Sequence, residues 1–154
     1  MKRFLTFMAV LLMVLYALSF GGRSDADRNL SQVGRALGLD LSAGTLLRFE
    51  DSHGGFHGDG LTRAEVELDG LSERLADAPG WRLLPMSQNT ARVVGMFGAE
   101  GAEVKEGWYY LYDRHRESSS PYDDTDLCSR ASWNFTAAVY DSRKGRLYFY
   151  KFDT

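Results

Sequence analysis

The chain has 154 residues with 18 basic and 21 acidic side chains, and its first 22 residues carry two of the basic ones, Lys2 and Arg3. The remainder therefore has a net charge of −5 at pH 7, which argues against binding to nucleic acid or, by charge, to anionic lipid. After this N-terminal part about 130 residues remain, enough for one domain with one core. Cys128 is the single cysteine, so an intrachain disulfide is excluded.

The N-terminus consists of a short basic head followed by an apolar run of 17 residues, Phe4 to Phe20. This pattern is typical of export from the cytoplasm. The run lies at the lower length limit for a membrane-spanning helix and above the usual length of a signal-peptide core, so residues 1–22 are either a retained anchor or a cleaved signal. With Lys2 and Arg3 in front of it, the positive-inside rule places the N-terminus in the cytoplasm and the domain outside.

Behind this segment the chain predicts one extracytoplasmic domain over residues 29–154. Residues 23–28 are polar and contain glycine, which is typical of a flexible tether. Apolar residues at helical spacing predict a helix over Asn29–Leu39. Two more short helices are expected after the capping residues Asp69 and Ser87.

Five strands are predicted, either from alternating apolar and polar residues or from runs of aromatic ones. They span Thr45–Asp51, Leu61–Leu68, Trp108–Asp113, Trp133–Tyr140 and Arg146–Phe152. Helices and antiparallel strands in this order indicate an α+β domain, and we expect a sheet of about five strands with two or three short helices packed on one face.

The segment His53–Gly60 joins the first two predicted strands and contains four glycines. Glycine disfavours a helix, so His53 and His57 are not a helical metal pair, and in an extended chain they would lie about 13 Å apart. A curled loop would bring them together, and His57 with Asp59 would meet more easily as a ligand pair or an acid–base pair. A plain hairpin connection is the alternative, since Asp59-Gly60 is a strong turn signal.

A second polar cluster, Asp113–Glu117, closes the aromatic strand and includes His115. Functional residues are common where loops leave rigid elements, so Asp113 and His115 are candidate binding residues. Three histidines and a carboxylate would suit zinc, although no local pattern brings them together. That set consists of His53, His57, His115 and Asp59. Cys128 has no adjacent histidine and no basic pocket that the sequence identifies, and is expected to be buried and inert.

Several short motifs resemble a set of N-terminally anchored bacterial proteins of unknown function. The resemblance covers residues 46–154, and it implies a bacterial source and a single site made from both polar clusters. Its motifs are His53–Gly60, Tyr112–His115, Pro121–Asp124, Asn134–Thr136 and the C-terminal Phe152–Thr154.

Two functions remain open for the domain. The first is a non-enzymatic binding or interaction module without a cofactor, which uses residues 53–60 and 113–117 to bind a small molecule or a protein. The second is a small zinc-dependent hydrolase with His53, His57 and His115 as ligands and Asp59 as ligand or base. Because no complete catalytic signature is present, we favour the binding module.

Overall fold

A computed structural model describes residues 25–54, 58–114 and 120–154. The segment predicted as anchor or signal, residues 1–22, lies outside the described residues. Residues 25–28, which we predicted to belong to the tether, are already helical. No helix in the described part of the chain is long and apolar enough to cross a membrane.

In the described part of the chain, two pairs of consecutive strands flank a middle part in which helices and strands are mixed. The elements are α1 (residues 25–37), β1 (Thr45–Asp51), β2 (Gly60–Glu67), α2 (Leu71–Ala76), β3 (Trp81–Leu83), α3 (Gln88–Phe97), α4 (Ala99–Ala102), β4 (Gly107–Asp113), a 3-10 turn (Leu127–Ser129), β5 (Phe135–Asp141) and β6 (Arg146–Asp153). The flanking pairs are β1–β2 and β5–β6.

All strands belong to a single antiparallel sheet with the order β1-β2-β6-β5-β4-β3. The predicted α+β class is confirmed, but the described sheet has six strands rather than about five. The additional strand is β3, which has only three residues and pairs with Trp108–Tyr110 of β4 at the sheet edge. A strand this short offers no alternation to detect.

Helices cover both faces of the sheet, so the expectation that they pack on one face is wrong. On one side, here the α1 face, helices α1 and α2 bury Leu30, Val33 and Leu71 against the sheet. On the opposite side, the α3 face, Val93 and Val94 of α3 belong to a second core cluster. The physical reason lies in β5, whose seven residues are all buried and therefore need cover on both sides.

The helix ends follow the expected signals in part. The prediction that Ser87 caps a helix is confirmed, because its Oγ accepts a hydrogen bond of 3.1 Å from the backbone N–H of Thr90. The prediction that Asp69 caps α2 is wrong, because Gly70 occupies the cap position without a side-chain hydrogen bond. Helix α1 ends at Gly38, whose φ of 67° is readily adopted by glycine.

Candidate functional site

Polar side chains collect at one end of the α1 face, beyond the apolar core. The strand register aligns Asp51, Thr62, Lys151 and Thr136 side by side across four neighbouring strands. Side chains in one such row point to the same face of the sheet. With three residues from the next row they form what we call the Asp153 cluster. Its members are Asp51, His53, Thr62, Arg114, Thr136, Lys151 and Asp153.

Asp153, at the end of β6, lies among His53 and two cationic side chains, Arg114 and Lys151. Its Oδ2 is 3.1 Å from His53 Nε2 and 3.1 Å from Lys151 Nζ, and its Oδ1 is 2.5 Å from Arg114 Nη2. Arg114 is further held by Thr136, to whose Oγ1 it donates a hydrogen bond. Charge-assisted hydrogen bonds of this kind are stronger than those between neutral groups.

His53 is held between two carboxylates. Its Nδ1 lies 2.5 Å from Asp51 Oδ1, its Nε2 faces Asp153, and its backbone N–H donates to Asp51 Oδ1 at 3.0 Å. Thr62 Oγ1 lies 3.3 Å from the same Nδ1. Only a doubly protonated imidazole ring donates to both carboxylates at once. The ring is therefore fixed in place, with 19% of its side-chain surface exposed.

Gly60, the first residue of β2, leaves the space that His53 occupies just after the end of β1. A Cβ atom at position 60 would lie 2.5 Å from His53 Cα and 2.9 Å from its Cγ. Carbon atoms do not approach so closely without a shift of the backbone, so the position requires glycine. One of the glycines that attracted attention in the sequence thus permits the histidine to contact β6.

The cluster stabilises the ionised form of both carboxyl groups. Burial on its own would raise the pKa of Asp51 and of Asp153. Hydrogen bonds from the backbone and ring of His53 to Asp51, and from Arg114 and Lys151 to Asp153, outweigh burial and hold each pKa below its ordinary value of 3.8. The site is thus a partly buried network of fixed charges.

The structure places one predicted site residue, His53, in the cluster and another, Asp113, on the opposite face of the sheet. His53 is in the cluster, whereas His57 and His115 lie outside the described residues. Asp59 is exposed. Asp113 is buried and points to the opposite face, where its Oδ2 binds Arg130 Nη2 at 2.6 Å. Asp113 therefore does not share a site with His53.

Sequence reasoning missed most partners of His53. Asp51 and Thr62 sit opposite each other in a predicted hairpin, so their proximity was accessible from the pattern. Asp153 and Arg114 reach the site only through the pairing of β6 with β2 and β5. No local signal encodes such long-range pairing.

The described residues contain no group of three or more histidine, cysteine or acidic side chains that would hold a metal ion. The predicted zinc set is incomplete there, because two of its three histidines lie outside the described residues. Cys128 is half-buried and its Sγ lies 3.7 Å from the backbone oxygen of Asn89, a weak hydrogen bond.

The chain matches no protein-family model, no curated protein and no solved structure. It is an α+β domain with a six-stranded antiparallel sheet in its described part. Fold class and site chemistry are therefore the grounds on which a function can be assigned.

Proposed function

We propose that the protein is an exported binding domain without enzymatic activity, either anchored by residues 1–22 or secreted after their cleavage. The basic head and the apolar run support export, with the N-terminus in the cytoplasm and the domain outside. The binding site includes the segment that starts at His53, and its partner is a small molecule or a protein. The motif resemblance to anchored bacterial proteins agrees with this location.

The observation that carries the proposal is the position of His53 between two carboxylates. A general base needs a free nitrogen lone pair, and a metal ligand uses the lone pair of a neutral imidazole. Both ring nitrogens of His53 already face an aspartate, at 2.5 Å and 3.1 Å. Its contacts fit a structural role, in which the histidine ties the start of the segment 53–60 to β6.

Asp153 also connects the two polar segments that the sequence singled out. One oxygen faces His53, which begins the segment 53–60, and the other binds Arg114, which lies in the segment 113–117. The Asp153 carboxylate thus holds His53 and Arg114, one residue of each polar segment, at the same end of the sheet. Loops held by a rigid sheet are a common location for binding residues, which favours a shared site.

In the zinc-hydrolase alternative, His53 would have to bind the metal ion through a ring nitrogen. To ligate a metal, the ring would have to release Asp51 or Asp153. The cationic side chains of Arg114 and Lys151 beside Asp153 also oppose a divalent cation nearby. These contacts favour the binding domain over the hydrolase.

Reporter fusions test the location. Alkaline phosphatase fused after Thr154 should be active in a bacterial host, while a fluorescent protein that folds only in the cytoplasm should stay dark at the same position. The opposite pair of results would place the domain inside the cell and overturn the proposal.

A metal titration separates the binding domain from the hydrolase. The purified full-length chain is incubated with zinc, and its melting temperature is compared with that of the His53→Gln variant. We expect no zinc-dependent rise for either protein. A rise for the wild type that the variant lacks, with about one bound zinc released below about pH 5, would establish the hydrolase ligand set instead.

A further inference from the structure

A polar groove lies on the α3 face, on the side opposite the Asp153 cluster. It has a volume of about 310 Å³ and lies between strands β2 and β6 and the junction of α3 with α4. The core cluster on this face includes no described residue of β1 or β2, so that half of the face lacks apolar cover. We call it the Arg63 groove. The residues that the argument uses are Arg48, Arg63, Glu65, Met96, Glu100 and Tyr150.

Arg63 lacks a carboxylate partner among the described residues. Glu50 lies directly opposite it on β1, but the Oε1 of Glu50 accepts hydrogen bonds from Arg48 Nε at 2.9 Å and Nη2 at 2.7 Å. Glu65, two residues along β2, binds Arg146 at 2.9 Å. The Nε of Arg63 is buried and has no hydrogen-bond partner within the described part of the chain.

Other arginines show that this situation is specific to Arg63. Arg130 and Arg146 also have a buried Nε without a partner, but each binds a carboxylate through Nη, Arg130 to Asp113 and Arg146 to Glu65. A guanidinium group that is partly withdrawn from water and left unpaired is unfavourable. The planar fork of its N–H groups matches a carboxylate with two parallel hydrogen bonds.

The groove also offers an unpaired carboxylate and an apolar surface. Glu100 is exposed and forms no ion pair with the residues that the structure describes. Its charge acts on Arg48, whose pKa is raised chiefly by its hydrogen bond to Glu50 and in smaller part by Glu100. Met96 lines the same groove and is 57% exposed, one of few large apolar side chains on the described surface.

Tyr150 adds a neutral hydroxyl at the groove wall. Burial raises its pKa to about 12, so the phenol stays protonated at neutral pH. Tyr150 Oη lies 3.5 Å from the carbonyl oxygen of Gly98, at the limit of a hydrogen bond. Tyr150 is buried and therefore forms the inner wall of the groove, with its hydroxyl directed at Gly98.

We propose that the Arg63 groove binds a small zwitterion, with a carboxylate on Arg63, an ammonium group near Glu100 and an apolar side chain against Met96. Free amino acids and short peptides share this chemistry. A doubly charged phosphate fits less well, because Glu65 and Glu100 would repel it. A volume of about 310 Å³ is at the lower end for small-molecule sites, which suits a ligand of this size.

Calorimetry with the purified full-length chain tests the proposal with four probes: leucine, dileucine, leucinamide and 4-methylpentanoate. Leucine or dileucine should bind, and whichever binds more tightly identifies a free amino acid or a peptide as the source of the zwitterion. Leucinamide lacks the carboxylate and 4-methylpentanoate lacks the ammonium group, so each should bind at least about tenfold more weakly. If neither leucine nor dileucine binds below about 10 mM, the proposal is overturned.

Two substitutions, Arg63→Met and Glu100→Gln, test which residues of the groove contact the ligand. Arg63→Met should weaken leucine binding at least about tenfold, whereas Arg143→Met, a substitution of an exposed arginine in the β5–β6 turn, should leave it unchanged. Glu100→Gln should weaken binding of leucine but not of 4-methylpentanoate. If Arg63→Met does not fold, Arg63→Lys keeps the charge without the two parallel bonds and should still weaken binding. Unchanged affinity in the folded arginine variant would place the ligand elsewhere and overturn the assignment.

Discussion

Asp153 is the residue on which most contacts of the cluster converge, because it alone faces His53, Arg114 and Lys151. Replacing it with asparagine keeps the shape and removes the charge, which leaves Arg114 and Lys151 without their shared carboxylate. We expect Asp153→Asn to lower the free energy of unfolding by about 1.5–3 kcal/mol, the range for hydrogen bonds to charged groups. Urea denaturation measures the change.

The matched control is Asp77→Asn, at an exposed position after α2, which should change stability by less than about 0.5 kcal/mol. Equal stability of the two variants would show that Asp153 contributes nothing beyond a surface charge.

The same carboxylates predict how stability depends on pH. Asp51 and Asp153 have a folded-state pKa below 3.8, their ordinary value, so folding favours their ionised form. Their contribution is complete above the unfolded-state pKa and is lost as the pH falls through the lower folded-state pKa. The stability difference between the wild type and Asp153→Asn should therefore be larger at pH 5 than at pH 3. Denaturation curves at both values test this, and a difference that grows on acidification would contradict it.

Single residues also show what the sequence could and could not predict. His53 is a candidate from the sequence because it begins a glycine-rich loop that contains two histidines, and it does lie in the cluster. Its assignment to a zinc set did not anticipate that Asp51 and Asp153 occupy both ring nitrogens. Asp113 attracted attention for its position at a strand end, but strand alternation turns it to the other face. Side-chain direction therefore mattered as much as location along the chain.

Among the elements, α3 shows how local and long-range signals combine. Ser87 caps it as predicted, but Asp124 from the distant segment 120–126 reinforces the same end. Its Oδ2 accepts hydrogen bonds from Thr90 Oγ1 at 2.7 Å, from Thr90 N at 3.1 Å and from Ser87 Oγ. Asp124 lies 34 residues from Thr90 in the chain, so this second cap depends on the tertiary fold and not on the local sequence.

The cap predicts a measurable loss of stability. Ser87→Ala removes the acceptor for Thr90 N and the donor to Asp124, and should cost about 1–2 kcal/mol. Ser72→Ala, in the first turn of α2 where serine caps nothing, is the control and should be close to neutral. Thermal melting of both variants gives the comparison, and an equal effect would show that the cap bond is unimportant.

Two strands differ from what the sequence predicts, and each differs for its own physical reason. Strand β5 was read as alternating, but Ala138 and Tyr140 on its second face are also buried, under α1 and α2. Alanine and tyrosine are compatible with either environment, so composition alone did not reveal a strand covered on both sides. Strand β3 was missed because its three residues are paired only through β4.

In the whole molecule, the two core clusters start at different positions along the chain. The cluster on the α1 face starts with Leu30, and the cluster on the α3 face starts with Val93. Together they cover both sides of the central strands β5 and β6. Among the described residues, which begin at residue 25, the first member of either cluster is Leu30.

This arrangement predicts that the domain folds without the N-terminal segment. Deleting residues 1–22 removes the apolar run and keeps all of the described helix α1 and every described residue of both core clusters. The truncated protein should therefore be soluble and should melt in one cooperative transition, as expected for a small domain with an intact core. The matched control deletes residues 1–37, which also removes Leu30, Val33 and Leu37 from the core and should abolish the transition. If the shorter deletion already gave an aggregate without cooperative melting, the apolar run would be part of the folded core rather than an export segment.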